Sequence, residues 1–159
     1  MNAIADNDEL QQLYRETILD HARNPRNFQR LSKATHSAEG INPLCGDKLH
    51  LYFVVDANEM VIEAGFEGSG CAISMASASL LTETVSNLSV AEADACFVSV
   101  TGRLTQQTVD GEASTRVDLS KLKALDGVRA HPSRVKCATL AWHALHAALT
   151  QSQTSATTE

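Results

Sequence analysis

Three short segments place a cysteine beside residues that suit it to a metal or to nucleophilic chemistry. They are Asn42-Pro43-Leu44-Cys45-Gly46-Asp47, Gly68-Ser69-Gly70-Cys71-Ala72-Ile73-Ser74 and Arg134-Val135-Lys136-Cys137. The chain contains four cysteines in all, so three of them sit in such settings. Three thiolates and the Asp47 carboxylate, gathered around one point, are a ligand set for zinc or for iron bridged by sulfide. No C-x-x-C pair occurs, which excludes a zinc ribbon and a thioredoxin-type redox site. Any shared centre must be assembled by the tertiary fold.

Each residue carries its own chemistry. Cys71 follows a Gly-Ser-Gly link at a predicted helix N-terminus, where free N–H groups and the helix dipole favour a thiolate. Cys45 lies in a turn, and Asp47 two positions on can converge with it on one ion; alone, Asp47 would read as a turn-former. Cys137 is flanked by Lys136 and preceded by Arg134, two cations that favour its thiolate. Cys96, in the apolar run Ala95-Cys96-Phe97-Val98, reads as a core residue. His143 and His146 share a helix face but lie about 9 and 14 Å beyond Cys137 at 1.5 Å per residue. They are expected at the surface or as caps.

The bulk properties narrow the function classes. A chain of 159 residues suits one domain, expected over residues 1–150. The net charge of -6, without a basic run, argues against nucleic acid as a ligand. No apolar stretch is long enough for a membrane span. The first residues lack the basic start and apolar core of a secretory signal, so a cytoplasmic setting with reduced thiols is expected. A cysteine-nucleophile hydrolase would need a placed histidine base, and no histidine motif points to one.

The elements that must position these residues follow from periodicity. Asp8 is expected to cap a helix reaching His21, with Leu10, Leu13, Tyr14, Thr17 and Ile18 on one face. Asn24-Pro25 ends it. Strands are expected over 48–55 and 59–66, joined by Asp56-Ala57-Asn58, with Met60, Ile62, Ala64 and Phe66 on one face. A shorter strand is expected near 34–39. Helices should run from about Cys71 to Val85, from Val90 to Leu104 behind a Ser89 cap, and from Ser133 to Leu149. A loop is expected over 105–114, a short helix or turn around Leu119, Leu122 and Leu125, and a disordered polar tail over 151–159. The grouping is α+β: a small antiparallel three-stranded sheet with helices packed on one face.

At these motifs the chain resembles the U-type iron–sulfur cluster assembly family, the scaffold fold shared by IscU and the N-terminal part of NifU. The segments 20–27, 42–47, 68–79 and 134–142 carry the resemblance. It is closest to the SufU-type branch. Lys136 stands where the scaffold branch has a histidine, and the stretch between Cys71 and Cys137 is longer, with Cys96 to about Gly127 holding the insertion. The resemblance implies a zinc ion held by Cys45, Asp47, Cys71 and Cys137. It implies persulfide sulfur accepted on Cys45 from a SufS-type cysteine desulfurase, as a sulfurtransferase-like accessory to that enzyme. Downstream SUF assembly proteins are the further partners it implies, with Arg134 and Lys136 steadying the sulfur anion or the partner's acidic groups. The alternative is a scaffold holding a [2Fe–2S] cluster or iron on the same ligands. A zinc that only braces the fold is a third reading.

Overall fold

Leu49, Leu51 and Phe53 alternate along the central strand of the sheet, and all three are buried. This alternation is what a strand with one core-facing side requires. The computed structural model describes residues 3–105, 119–150 and 155–157. In it, β1 (His36–Asn42), β2 (Asp47–Val55) and β3 (Val61–Ser69) form an antiparallel meander with β2 in the middle. A short fourth strand, β4 (Ser155–Thr157), lies parallel to β1 on the outer edge. The expected antiparallel three-stranded sheet is therefore present and extended by one strand. That strand falls within the stretch expected as a polar tail; residues 151–154 and 158–159 lie outside the described residues.

Two strand boundaries differ from the expectation in ways that matter. β1 begins two residues later than the expected strand and runs on to Asn42, so its end delivers the Cys45 turn. β3 runs on to Ser69, so it delivers Gly70 and Cys71. Ile62 was expected on the buried face with Ala64 and Phe66, yet it is 52% exposed, and Val61 is buried instead. The cause is a bulge: Val54 pairs with Glu63 but Val55 pairs with Val61, leaving Ile62 as an extra residue. One inserted residue switches the face of everything beyond it.

The helices are α1 (Ala3–Arg23), α2 (Ala72–Val85), α3 (Val90–Leu104) and α4 (Pro132–Thr150), with a 3-10 helix over Ser120–Val128. Asp8 lies inside α1, because the helix starts about five residues before the expected cap. The Ser89 cap of α3 is a capping box: Glu92 N–H donates to Ser89 Oγ, and Ser89 N–H donates to Glu92 Oε1, both at 3.0 Å. The expected loop over 105–114 falls almost entirely in residues 106–118, outside the described residues.

Small residues let the helices close on one another and on the sheet. Ala76, Ser77, Ala78 and Ser79 of α2 are all buried. Ser77 Oγ donates to the Ala138 carbonyl of α4 at 2.5 Å and accepts from Trp142 Nε1 at 3.1 Å. On the other side, Ser79 Oγ accepts the Arg26 N–H at 2.9 Å and bonds to His21 Nδ1 at 2.7 Å. The other ring nitrogen of His21, Nε2, lies 3.7 Å from Glu83 Oε1. Asn27 continues this attachment, donating to Thr82 Oγ1 at 3.1 Å. The segment 20–27 is thus a polar fastening of α1 and its exit loop to α2. With α2 held between α1 and α4, the N-terminus of α2 is fixed against the end of the sheet.

Candidate metal centre

The β1–β2 turn builds half of the centre. Asn42 and Asp47 face each other across the two strand ends, and the Cys45 N–H donates back to the Asn42 carbonyl at 3.3 Å. Gly46 has φ +71, a left-handed conformation that closes the turn at little cost only for glycine. The result is a turn tip with Cys45 exposed and an Asp47 carboxyl that is buried.

The start of α2 supplies the second element. Cys71 is the helix N-cap residue, half-buried, in an extended conformation. Its N–H donates to Asp47 Oδ1 at 2.8 Å, so the carboxylate receives an N–H at a helix N-terminus, where a negative charge is favoured. Gly70 is required by close approach. A Cβ there would stand 2.7 Å from Asp47 Oδ1 and would also strike Ser74 Oγ. Ser74 is buried, donates to the Cys71 carbonyl at 3.1 Å, and lies 3.7 Å from the Cys71 sulfur.

The first turns of α4 supply Cys137. Its thiol is fully buried and lies 3.4 Å from Cys45 Sγ. Ligand atoms of Cys45, Asp47 and Cys137 all fall within 4.8 Å of one another. Cys71 stands outside that mutual group, although its thiol is close enough to act on Cys137. Burial first, then hydrogen bonding from Cys45 and Cys71 and the charge of Cys71, push the Cys137 thiol far above the ordinary cysteine range. A buried thiol among acceptors holds its proton until a cation replaces it.

The donor set fits zinc. Two sulfurs each about 2.3 Å from one zinc in a tetrahedron stand about 3.8 Å apart, close to the Cys45–Cys137 separation. Zinc, a borderline cation, takes both the soft thiolates and the hard carboxylate oxygen of this set, and the same set suits iron. Asn42 completes the surroundings. It is buried, and its Nδ2 lies 3.4 Å from Asp47 Oδ2 and 3.6 Å from Cys137 Sγ. Ligand groups held by such outer hydrogen bonds are the usual build of a metal site.

Other residues singled out by sequence lie elsewhere. Arg134 is exposed and Lys136 is half-buried. Arg134 lines a cavity of about 700 Å³ with Tyr14, Arg15, Ile73 and His131, beside the centre rather than in it. Cys96 is in the core, and burial pushes its thiol up to about 11. His143 and His146 are neither caps nor ligands of this centre. Their rings pack on Phe97 between α3 and α4, and His146 Nδ1 bonds Asp94 Oδ1 at 2.6 Å. Sequence reasoning quoted Asn42, Gly70 and Ser74 within the cysteine segments but foresaw none of their contacts at the centre. The available signals were an Asn-Pro ahead of one cysteine and a glycine directly before another.

Residues 13–115 match the NifU-like N terminal domain, more than half of the chain. This protein belongs to that family. It is 39% identical to the zinc-dependent sulfurtransferase SufU of Bacillus subtilis, over 87% of this chain and 90% of the relative. It is 36% identical to the iron–sulfur cluster assembly scaffold protein IscU of Thermotoga maritima, over 86% and 92%. A crystal structure from Fervidobacterium islandicum, assigned to the SUF-system scaffold proteins, superposes with a TM-score of 0.72 at 29% identity. It covers 84% of this chain and 94% of the other. Among the described residues, no helix is long and apolar enough to cross a membrane.

Proposed function

We propose that this protein is a SUF-type sulfur acceptor of iron–sulfur cluster assembly, with zinc held by Cys45, Asp47, Cys71 and Cys137. Its likeness to the Bacillus SufU supports the reading. The observation that carries it is the contrast between two thiols 3.4 Å apart: Cys45 is exposed and Cys137 is fully buried. A site meant only to brace the fold has no use for an exposed ligand on a turn tip. A site that receives sulfur from another protein needs one.

When bound, zinc keeps the cysteine sulfurs as thiolates and lowers their proton affinity. The chain's own residues do the rest. Cys45 Sγ, on its turn, is the sulfur that a desulfurase persulfide reaches. It attacks the outer sulfur of that persulfide, forming a new S–S bond to Cys45. The S–S bond of the donor breaks, and its electron pair leaves on the desulfurase cysteine as a thiolate. Nothing is oxidised or reduced overall. Asp47, fixed by the Cys71 N–H, and the buried Cys137 stay in place while Cys45 engages the donor. The exposed Arg134 and the half-buried Lys136, in the turn of α4 just before Cys137, favour an anionic sulfur or an acidic partner surface.

The second reading is a [2Fe–2S] scaffold on the same ligands, favoured by the likeness to the Thermotoga IscU. Lys136 counts against it, since an ammonium replaces the histidine that the scaffold branch places before its third cysteine. Elemental analysis of the isolated protein, joined to a cysteine desulfurase assay, tests the two. The sulfur-acceptor reading expects a colourless zinc protein that raises desulfurase turnover. A coloured iron protein with no effect on turnover overturns it.

A further inference from the structure

We propose that Asn42 is a positioning residue of the metal centre: its side-chain amide donates to Asp47 and Cys137, holding both in place, and leaves Cys45 the ligand thiol that reacts. This rests on the reading of the site as a zinc-held sulfur acceptor.

Asn42 is the last residue of β1, and the following Pro43 favours the extended backbone that carries it there. Its side chain is completely buried. The two amide protons serve two different ligands, Asp47 Oδ2 at 3.4 Å and Cys137 Sγ at 3.6 Å. The first is long for an N–H···O bond, while bonds to sulfur are longer by nature. Meanwhile Asn42 Oδ1 has no partner among the described residues. A buried acceptor left unpaired is unfavourable, so the orientation makes sense only if the donors gain more on their side. They face a carboxylate and a thiol that carry negative charge once a cation is held. Turning the amide over would set its oxygen against both.

The distribution of these donors is unequal. Neither reaches Cys45, which sits at the solvent-facing turn tip. A hydrogen bond to a thiolate stabilises its charge and makes it a poorer nucleophile. Asn42 therefore quiets the inner sulfur and steadies the carboxylate, and the outer sulfur keeps its reactivity.

The test uses the full chain with Asn42→Leu, which removes the donors at similar size, and Asn42→Asp, which removes them and adds a charge. Zinc affinity, read by competition with a chromophoric chelator, should fall by roughly 10–100-fold in both. In the Co²⁺-loaded Asn42→Leu protein, the sulfur-to-cobalt charge-transfer band should move to lower energy, a change that a purely structural role would not cause. Wild-type affinity and an unmoved band in Asn42→Leu overturn the proposal. Should both variants fail to fold, the ¹¹³Cd-loaded wild type decides. A scalar coupling between the Asn42 side-chain amide proton and cadmium supports the assignment, and its absence overturns it. A wild type that binds no zinc overturns the functional reading as well, whereas equal binding by wild type and variants overturns this inference alone.

Discussion

The main-chain N–H of Cys71 donates to Asp47 Oδ1 at 2.8 Å, which joins the start of α2 to the start of β2 at the metal centre. The bond gives Asp47 a second role beside the proposed ligation. Asp47 is also the acceptor that fixes where the Cys71 thiol begins. Asp47→Ala should lower zinc affinity by roughly tenfold or more, since ligand and anchor are lost together. Zinc added to the wild type should raise the melting temperature, because it binds the folded chain preferentially. In Asp47→Ala that rise should be much smaller at equal zinc, as differential scanning fluorimetry would show.

Gly70 is expected to be intolerant for a steric reason. A methyl group there would meet Asp47 Oδ1 and Ser74 Oγ within the packed approach to the site. Overpacking of this kind costs about 1–3 kcal/mol. Gly70→Ala should therefore melt lower than wild type without metal and also bind zinc more weakly. Thermal melts of the apo and zinc-loaded forms check both, and an unchanged apo melt with full zinc affinity would show that the approach is looser than described.

Stability should depend on pH through His21. Burial, and next the nearby Arg26, hold this imidazole below the ordinary histidine value of 6.5. The unfolded chain then binds more protons than the folded one around that pH. The contribution is fully present above about pH 6.5 and is lost as pH falls below it. His143, also lowered by burial, acts in the same direction. Urea midpoints measured between pH 7.5 and 5.5 should fall with acidity, and more shallowly in His21→Gln. A slope unchanged by His21→Gln would remove His21 from the account.

Cys96 should be chemically silent. Its thiol is buried and pushed up to about 11, so little thiolate exists at neutral pH. Iodoacetamide at pH 8 should leave Cys96 unlabelled in the folded protein and label it after denaturation, as peptide mass spectrometry would reveal. Cys96→Ala should keep its zinc. Loss of zinc in that variant would contradict its role as core.

Much of this architecture was legible in the sequence, and the reasons are local. The alternation of Leu49, Leu51 and Phe53 marks a half-buried strand, and Ser89 with Glu92 marks a helix start. Both signals lie within a few residues. Ile62 was misplaced because a bulge is a relation between two strands, and periodicity within one strand cannot register it. β4 escaped notice because Ser155–Thr157 has no apolar pattern and is a strand only by pairing with β1. At the centre, cysteine type and neighbours nominated Cys45, Cys71 and Cys137. The role of Asn42 depends on which groups meet its amide, one of them on α4, far along the chain. Such a meeting is a property of the fold, as is the packing of His143 and His146 on Phe97.

The central claim is that Cys45 receives the sulfur. Its most direct test incubates the zinc-loaded protein with a cysteine desulfurase and isotopically labelled cysteine, then locates the persulfide by peptide mass spectrometry. The account predicts labelled sulfur on Cys45 in the wild type and none transferred to Cys45→Ser. Transfer to Cys45→Ser at the wild-type rate, or label on Cys71 or Cys137 instead of Cys45 in the wild type, would contradict it.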